Sequence, residues 1–144
     1  MSLFSALSVG ASGMAAQGTR AEMLVENLAN AETTRTPERG PYRRKDVVFE
    51  SSRVGSPFAS VFSSELESAG GVAVSDIVVD QRDPERRYQP GHPDADADGY
   101  VAFPRINTAE DMVDLMGAAR GYEANVSAMS AVKDMIQRSI DLMR

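Results

Sequence analysis

The clearest structural signal in the chain is TAEDMVDLMGAARGYEANVSAMSAVKDMIQRSIDLM, residues 108–143. One stripe of this segment recurs in steps of three and four residues, and its members are Met112, Leu115, Ala119, Tyr122, Val126, Met129, Lys133, Ile136, Ile140 and Met143. An average step of 3.5 residues keeps one side of a helix facing a partner helix. The segment therefore predicts a helix about 54 Å long, at 1.5 Å per residue.

The two ends of this predicted helix carry the usual terminal residues. Asn107 or Thr108 can cap its first turn, and an acidic residue follows three positions later in either register, as in a capping box. Further apolar residues flank the stripe, namely Val113, Met116, Val132 and Met135. So wide an apolar face favours contact with several helices rather than with one.

A matching stripe opens the chain, with Leu3, Leu7, Gly10, Met14, Gln17, Ala21, Leu24 and Leu28 at steps of four and three. We expect a helix from about Leu3 to Ala31, where the polar stretch that begins at Asn30 ends it. Gly10, Gly13 and Gly18 each cost about 1 kcal/mol relative to alanine in an isolated helix. The same small residues allow another helix to approach closely.

The region between the helices has the signals of short strands, at 47–49, 72–79 and 101–103, and the serine-rich stretch from Ser51 to Ser68 predicts a loop. The predicted fold class is therefore α+β, with long N- and C-terminal helices packed as a coiled coil and a small β-containing middle. The expected divisions are an N-terminal helix at 1–33, a middle region at 34–106 and a C-terminal helix at 107–144.

Composition excludes several classes of protein. The 144 residues carry a net charge of −6 and no basic run, which argues against a nucleic-acid groove. The absence of cysteine excludes disulfides and thiolate metal sites. We expect no membrane span, since no stretch approaches the roughly 20 apolar residues that one needs. The first residues lack the basic start of a cleaved signal peptide.

One stretch imitates a metal site. Asp94, Asp96, Asp98 and Gly99 reproduce the first half of an EF-hand calcium loop, but position 12, which should be glutamate, is Arg105. A solvated acidic turn is the better interpretation, and a divalent-cation module built on residues 94–98 is the alternative. The single histidine, His92, lies between glycine and proline and is expected to shape a loop. We predict no catalytic residue, cofactor or metal ligand.

Matching stripes at both ends of a short chain point to an assembly protein. The alternative is that the two helices only pack on each other within a monomer, although a helix pair leaves other faces exposed. Burial of those faces needs further copies or other partners.

Several segments resemble a known family. Asn27-Leu-Ala-Asn30 with Thr33-Thr34 resembles the N-terminal signature of the bacterial flagellar axial proteins of the rod and hook class. The stretches 42–49, 88–104, 107–116 and 120–126 are similar to the short proximal-rod members of that family. The resemblance covers both ends and most of the middle, but not 51–69. Another rod subunit of the same family is the closest alternative.

The resemblance implies a structural subunit of the proximal rod of the flagellar basal body, the drive shaft that carries torque from motor to hook. It implies export through the flagellar type III apparatus without a cleaved signal peptide, and assembly in the periplasm. The implied partners are copies of itself, neighbouring rod proteins and the adaptor that joins the rod to the inner-membrane ring. The predicted subunit-interface residues are Leu3, Leu7, Met14, Leu24, Leu28, Asn30, Met112, Leu115, Met116, Tyr122, Val126, Met129, Ile136 and Ile140.

Overall fold

The computed structural model describes residues 3–37, 40–53 and 70–142. In chain order the elements are α1 (Leu3–Ala29), β1 (Lys45–Arg53), β2 (Gly70–Val79), β3 (Glu85–Tyr88), β4 (Tyr100–Phe103) and α2 (Thr108–Asp141). The predicted α+β class and both terminal helices are confirmed. Neither of the described helices is long and apolar enough to cross a membrane.

The two helices lie side by side in opposite directions. Gly10 of α1 faces Met129 of α2, and three residues further along α1, Gly13 faces Asn125, which lies earlier in α2. A Cβ atom at Gly10 would lie only 2.8 Å from Cγ of Met129, and one at Gly13 would lie 3.0 Å from Nδ2 of Asn125. Gly10 and Gly13 therefore allow the helices to approach closely, as the sequence predicted, whereas a Cβ atom at Gly18 would meet no atom within 4 Å and the prediction does not hold there. Coiled-coil packing of the pair stays a prediction.

The face of α2 that is buried in the monomer differs in part from the predicted stripe. Asp111 and Ala118 are buried and Asn125 is half-buried, whereas Met112 and Val126 of the stripe are exposed. Asp111, Ala118 and Asn125 therefore each come one position before an exposed residue of the predicted stripe, namely Met112, Ala119 and Val126. Asp111 and Asn125 escaped the prediction because they are polar, although Asp111 lies against Arg44 and Asn125 against Gly13. Ala118 escaped it because burial depends on what the rest of the chain places against the helix.

The strands form two antiparallel hairpins. β1 pairs with β2, with a bulge between Val48 and Phe49, and β3 pairs with β4. The backbone N–H of Val72 donates to Oγ of Ser12 at 3.1 Å, which fastens the first hairpin to α1. The described residues give a small buried apolar set, namely Ala16, Leu24, Tyr42, Val101, Phe103 and Ala118. Most of the apolar surface of the helices remains outside this core.

Two predictions about the middle region are corrected. The strand β3 was missed because its sequence, Glu-Arg-Arg-Tyr, has no apolar alternation and all four residues are exposed. The predicted loop from Ser51 was wrong at its start, since β1 continues to Arg53 through pairing with β2. The rest of that predicted loop, 54–68, lies outside the described residues.

Candidate assembly surface

A buried asparagine joins the end of α1 to the beginning of β1. The side chain of Asn27 is fully buried, and its Nδ2 donates to the carbonyl oxygen of Lys45 at 2.8 Å. Its Oδ1 accepts from the backbone N–H of Lys45 at 2.9 Å and from the hydroxyl of Tyr42 at 3.0 Å. We call Asn27, Tyr42 and Lys45 the Asn27 junction. Its polar atoms are satisfied by one another, which is the condition for burying them at low cost.

Charged side chains lie beside the Asn27 junction. Nζ of Lys45 lies 2.6 Å from Oε1 of Glu26 and 5.8 Å from the centre of the Tyr42 ring. Burial, together with the negative charge of Glu26, raises the pKa of Tyr42 to about 12. The hydroxyl therefore stays protonated and able to donate to Asn27 over the whole physiological range.

A second tie connects the β1 side of the junction to α2. Nη2 of Arg44 lies 3.1 Å from Oδ1 of Asp111, whose side chain is fully buried in the first turns of α2. The contact is electrostatic, because within the described residues neither carboxylate oxygen of Asp111 accepts a hydrogen bond of good geometry. Burial raises the pKa of Asp111 and the charge of Arg44 opposes that rise. The end of α1, the beginning of β1 and the beginning of α2 are thus held together by polar contacts.

The sequence predicted only part of this arrangement. Asn30 was predicted at the subunit interface, but its side chain is engaged within the chain, with Nδ2 donating to the carbonyl oxygen of Glu26 and Oδ1 accepting from Oγ1 of Thr33. Arg44 and Asp111 were not singled out as partners, since 67 positions separate them in sequence. Asn27 stood in the quoted family signature, and that motif was the available signal.

The outward surface of α2 carries several exposed apolar side chains. Met112, Met116, Tyr122 and Val126 lie along one side of the helix, and each is between 44% and 54% exposed. We call these four residues the α2 strip. Ile140, further along the helix, is 48% exposed. Apolar side chains that share one side of a helix mark a site of contact with another molecule more often than scattered ones do.

The remaining predicted interface residues lie closer to the interior of the monomer. Leu24 is 5% exposed. Half-buried positions are held by Leu7, Met14, Leu28, Asn30, Leu115, Met129 and Ile136. The side chain of Leu3 lies outside the described residues. The monomer thus separates the predicted set into a part that packs internally and a part that faces outward.

The acidic loop has the geometry of a hydrogen-bonded turn. Asp94 accepts from Oγ1 of Thr34 and pairs with Arg35, while Oδ1 of Asp96 accepts from the backbone N–H groups of Asp98 and Tyr100. In the described part of the chain, no three acidic or histidine side chains are grouped to hold a metal ion. Asp94 and Asp96 thus point to different partners, and this arrangement does not favour the cation-module alternative.

His92 shapes the same loop. Its Nδ1 accepts from the backbone N–H of Asp94 at 3.1 Å, and its ring meets the edge of Phe103 with the ring centres 6.1 Å apart. Both contacts are structural, and they hold the loop against β4.

Comparison with known proteins identifies close relatives. Residues 97–142 match the family model described as the flagellar basal body rod FlgEFG protein C-terminal. The chain is 40% identical to the flagellar basal-body rod protein FlgC of Bacillus subtilis, over 99% of this chain and 99% of that protein. It is 36% identical to FlgC of Borreliella burgdorferi, over 100% of this chain and 99% of that protein. With FlgC of Salmonella typhimurium the identity is 34%, over 99% and 98%.

Proposed function

The chain belongs to the FlgC family of flagellar basal-body rod proteins, and we propose that it is a structural subunit of the rod. In this proposal it polymerises in the proximal rod through its terminal helices and transmits torque from the motor to the hook. The similarity to proteins named FlgC extends over nearly the whole of both chains, and it favours a place in the proximal rod over the role of another rod subunit of the same family.

The observation that carries the proposal is the α2 strip. Four apolar side chains on one side of a long helix are about half exposed in the monomer. Complete burial of such a side chain stabilises a structure by about 1.5–3 kcal/mol. Neighbouring subunits that cover the strip would gain the part of this free energy that the isolated monomer, in which these side chains are only about half buried, does not gain.

The helix pair suits this role. We propose that α1 and α2 pack as a coiled coil, within the subunit and against its neighbours, and that the predicted interface residues take part. The half-buried members would contribute along the edges of the pair, and the α2 strip would contribute from its outer face. We keep three divisions of the chain in this proposal: an N-terminal axial helix at 1–33, a middle region at 34–106 that forms the outer body of the subunit, and a C-terminal axial helix at 107–144.

The partners follow from the rod assignment. They are copies of the chain, neighbouring rod proteins, the adaptor at the inner-membrane ring and, during secretion, the flagellar type III export apparatus. The location is the periplasmic rod of the basal body, reached without cleavage of a signal peptide. The role is structural and involves no catalysis, cofactor or nucleic acid.

Deletion of the gene in its native host, followed by electron microscopy of isolated basal bodies, tests the proposal. We expect an inner-membrane ring that lacks rod, hook and filament, and restoration of all three by the plasmid-borne gene. Complete basal bodies with normal swimming in the deletion strain would contradict a rod role. A partial rod, extending from the ring but ending early, would place the subunit further along the shaft.

A further inference from the structure

Arginine side chains line a small cleft at the base of the β3–β4 hairpin. The lining contains one acidic residue, Asp80, together with the prolines 41, 84 and 104, Tyr42, and the arginines Arg43, Arg44, Arg82 and Arg105. Such a concentration of guanidinium groups is unexpected in a chain whose net charge is −6. We call it the arginine cleft.

Two of these arginines already have carboxylate partners. Arg82 grips the carboxylate of Asp80 through Nε and Nη2, with Nη2 2.6 Å from Oδ2, and these hydrogen bonds lower the pKa of Asp80 to about 2. Arg44 pairs with Asp46 and Asp111. The only acidic group of the lining is therefore fully occupied.

In the part of the chain that the structure describes, the other two arginines have no carboxylate in direct contact. Arg43 donates through Nη1 to the backbone carbonyl oxygen of Asp80 at 3.0 Å. Within the described residues, neither Arg43 nor Arg105 has a carboxylate within 4.0 Å, and both are exposed. The arginine hydrogen-bonded to each of Asp80 and Glu85 lowers the pKa of that carboxyl group most, and the charge of Arg105 lowers it further at longer range. The exposed guanidinium groups of Arg43 and Arg105 can still meet an anion that approaches from outside.

The size of the cleft limits that anion. The cleft has a volume of only about 20 Å³, little more than the space that one water molecule occupies. So small a cleft does not enclose a nucleotide or a sugar phosphate, whereas a single carboxylate can approach the exposed guanidinium groups of Arg43 and Arg105 in its lining. Arginine is also the residue best suited to grip a carboxylate in a fixed geometry.

A rigid acidic turn lies at the other end of the same hairpin. β3 and β4 pair from Glu85 and Phe103 at the cleft end to Tyr88 and Tyr100 at the far end, and residues 89–99 form the turn beyond. Asp96 accepts two backbone N–H groups there, which fixes the loop. The Asp98 side chain is exposed and has no ion-pair partner in the described part of the chain.

The length of the hairpin prevents the turn from reaching its own cleft. Strands of four residues separate the two ends by about 10–13 Å at 3.3 Å per residue. Each copy therefore presents a negative tip at one end and a positive cleft at the other. A contact between two different surfaces on successive copies can repeat from one copy to the next. It gives a ring if the rotation between copies closes, and otherwise an open helical filament, which is the arrangement of a shaft.

We propose that the acidic turn of one subunit, led by Asp98, seats in the arginine cleft of the next copy, beside Arg43 and Arg105. The proposal rests on the proposed rod function, because it requires copies of the chain to be neighbours. It assigns to the β3–β4 hairpin a lateral, electrostatic contact that is separate from the apolar helix surfaces and that selects one orientation of adjacent subunits.

Cysteine cross-linking tests the contact directly, since the native chain has no cysteine. Strains would express a mixture of Asp98→Cys and Arg105→Cys copies, and isolated basal bodies would be oxidised. We expect a dimer of this chain. A mixture of Asp98→Cys and Arg86→Cys copies is the matched control and should give none, since Arg86 lies on the same hairpin but outside the cleft lining.

Charge exchange provides a second measurement. Arg43→Glu with Arg105→Glu, or Asp98→Arg alone, should each reduce incorporation about tenfold, because like charges would then meet. The three changes combined in one chain should restore most of it. Circular dichroism of each purified variant would verify that these exposed substitutions leave the monomer folded.

The outcomes separate the inference from the rod assignment. Basal bodies that contain the chain but yield no dimer, a dimer equally strong in the control, or a product with a different protein would overturn the inference and leave the rod role intact. Failure of the combined charge exchange to restore incorporation would also overturn it. Absence of the chain from basal bodies would contradict the rod assignment and the inference together.

Discussion

The side-chain amide of Asn27 binds both backbone groups of Lys45, with its Nδ2 2.8 Å from the carbonyl oxygen and its Oδ1 2.9 Å from the nitrogen. The asparagine thus pairs with the beginning of β1 much as a neighbouring strand would. Together with the hydrogen bond from Val72 to Ser12, this side chain holds the first hairpin against α1.

Asn27→Ala should lower the free energy of unfolding of the monomer by about 2–4 kcal/mol, because buried groups of Lys45 and Tyr42 lose their partner. Urea denaturation of the purified chain measures the change. Asn125→Ala is the matched control and should cost about 1 kcal/mol or less, since its half-buried amide donates within its own helix, to the carbonyl oxygen of Gly121. Equal losses in the two variants would contradict a special role for the junction.

Tyr42 should make the monomer sensitive to alkali. Its pKa is raised in the folded state, from the ordinary value of 10.0 to about 12, so folding favours the protonated hydroxyl. The stabilisation is complete below pH 10 and is lost as the pH rises through 12, by about 2–3 kcal/mol in all.

Alkaline unfolding of Tyr42→Phe checks this dependence. The free energy of unfolding of the variant should fall less steeply than that of the native chain between pH 10 and 12. Tyr88→Phe, a change at an exposed tyrosine, is the control and should follow the native curve. Parallel curves for the native chain and Tyr42→Phe would rule out the proposed burial of the hydroxyl.

The contribution of Asp111 to stability should change with pH in the opposite direction to that of most carboxylates. Its folded pKa is raised by burial, so its contribution to stability is fully present below the ordinary value of 3.8 and is lost as the pH rises through the folded value. Its charged neighbours are Arg44, Asp46, Glu110 and Asp114. Asp111→Asn should therefore gain stability relative to the native chain as the pH rises from 4 to 7. Asp114→Asn, at a half-exposed position paired with Arg20, is the control and should not show this gain.

The glycines of α1 should respond differently to substitution. A side chain at Gly18 meets no atom within 4 Å, so Gly18→Ala should stabilise the monomer by about 1 kcal/mol through helix propensity alone. Gly13→Val would press on the amide of Asn125 and should destabilise it by about 1–3 kcal/mol. Thermal unfolding compares the two variants. Stabilisation by both would show that the helices do not require the close approach at Gly13.

Two charged substitutions should separate folding from assembly. Val126→Asp lies in the exposed α2 strip, so the monomer's free energy of unfolding should change by about 0.5 kcal/mol or less, while incorporation into the rod is lost. Leu24→Asp places an unpaired charge in the core and should unfold the monomer itself. Denaturation and basal-body blots measure both effects. Normal swimming with Val126→Asp would remove the strip from the subunit interface.

The sequence alone was sufficient for the two long helices, because residue spacing is a local property that neighbouring turns of one helix reveal. It also placed the cap of α2 at Asn107 or Thr108, and the structure selects Asn107, whose Oδ1 accepts from the N–H of Ala109 at 3.2 Å. Of the four strands in the described residues, the sequence predicted three. β3 escaped prediction, since its exposed Glu-Arg-Arg-Tyr sequence forms a strand only through pairing with β4.

Tertiary structure alone decided which side of each helix is covered and which polar residues are buried. Asp111 and Asn27 lie in the interior because Arg44 and Lys45, distant in sequence, arrive beside them and offset the cost of burial. The arginine cleft likewise forms only in the folded chain, because Arg43 and Arg44, just before β1, meet the residues that flank the β3–β4 hairpin, Arg82 before β3 and Arg105 after β4. Periodicity reports how often a side chain returns to one face of a helix, whereas burial and charge pairing depend on what the rest of the chain places against that face.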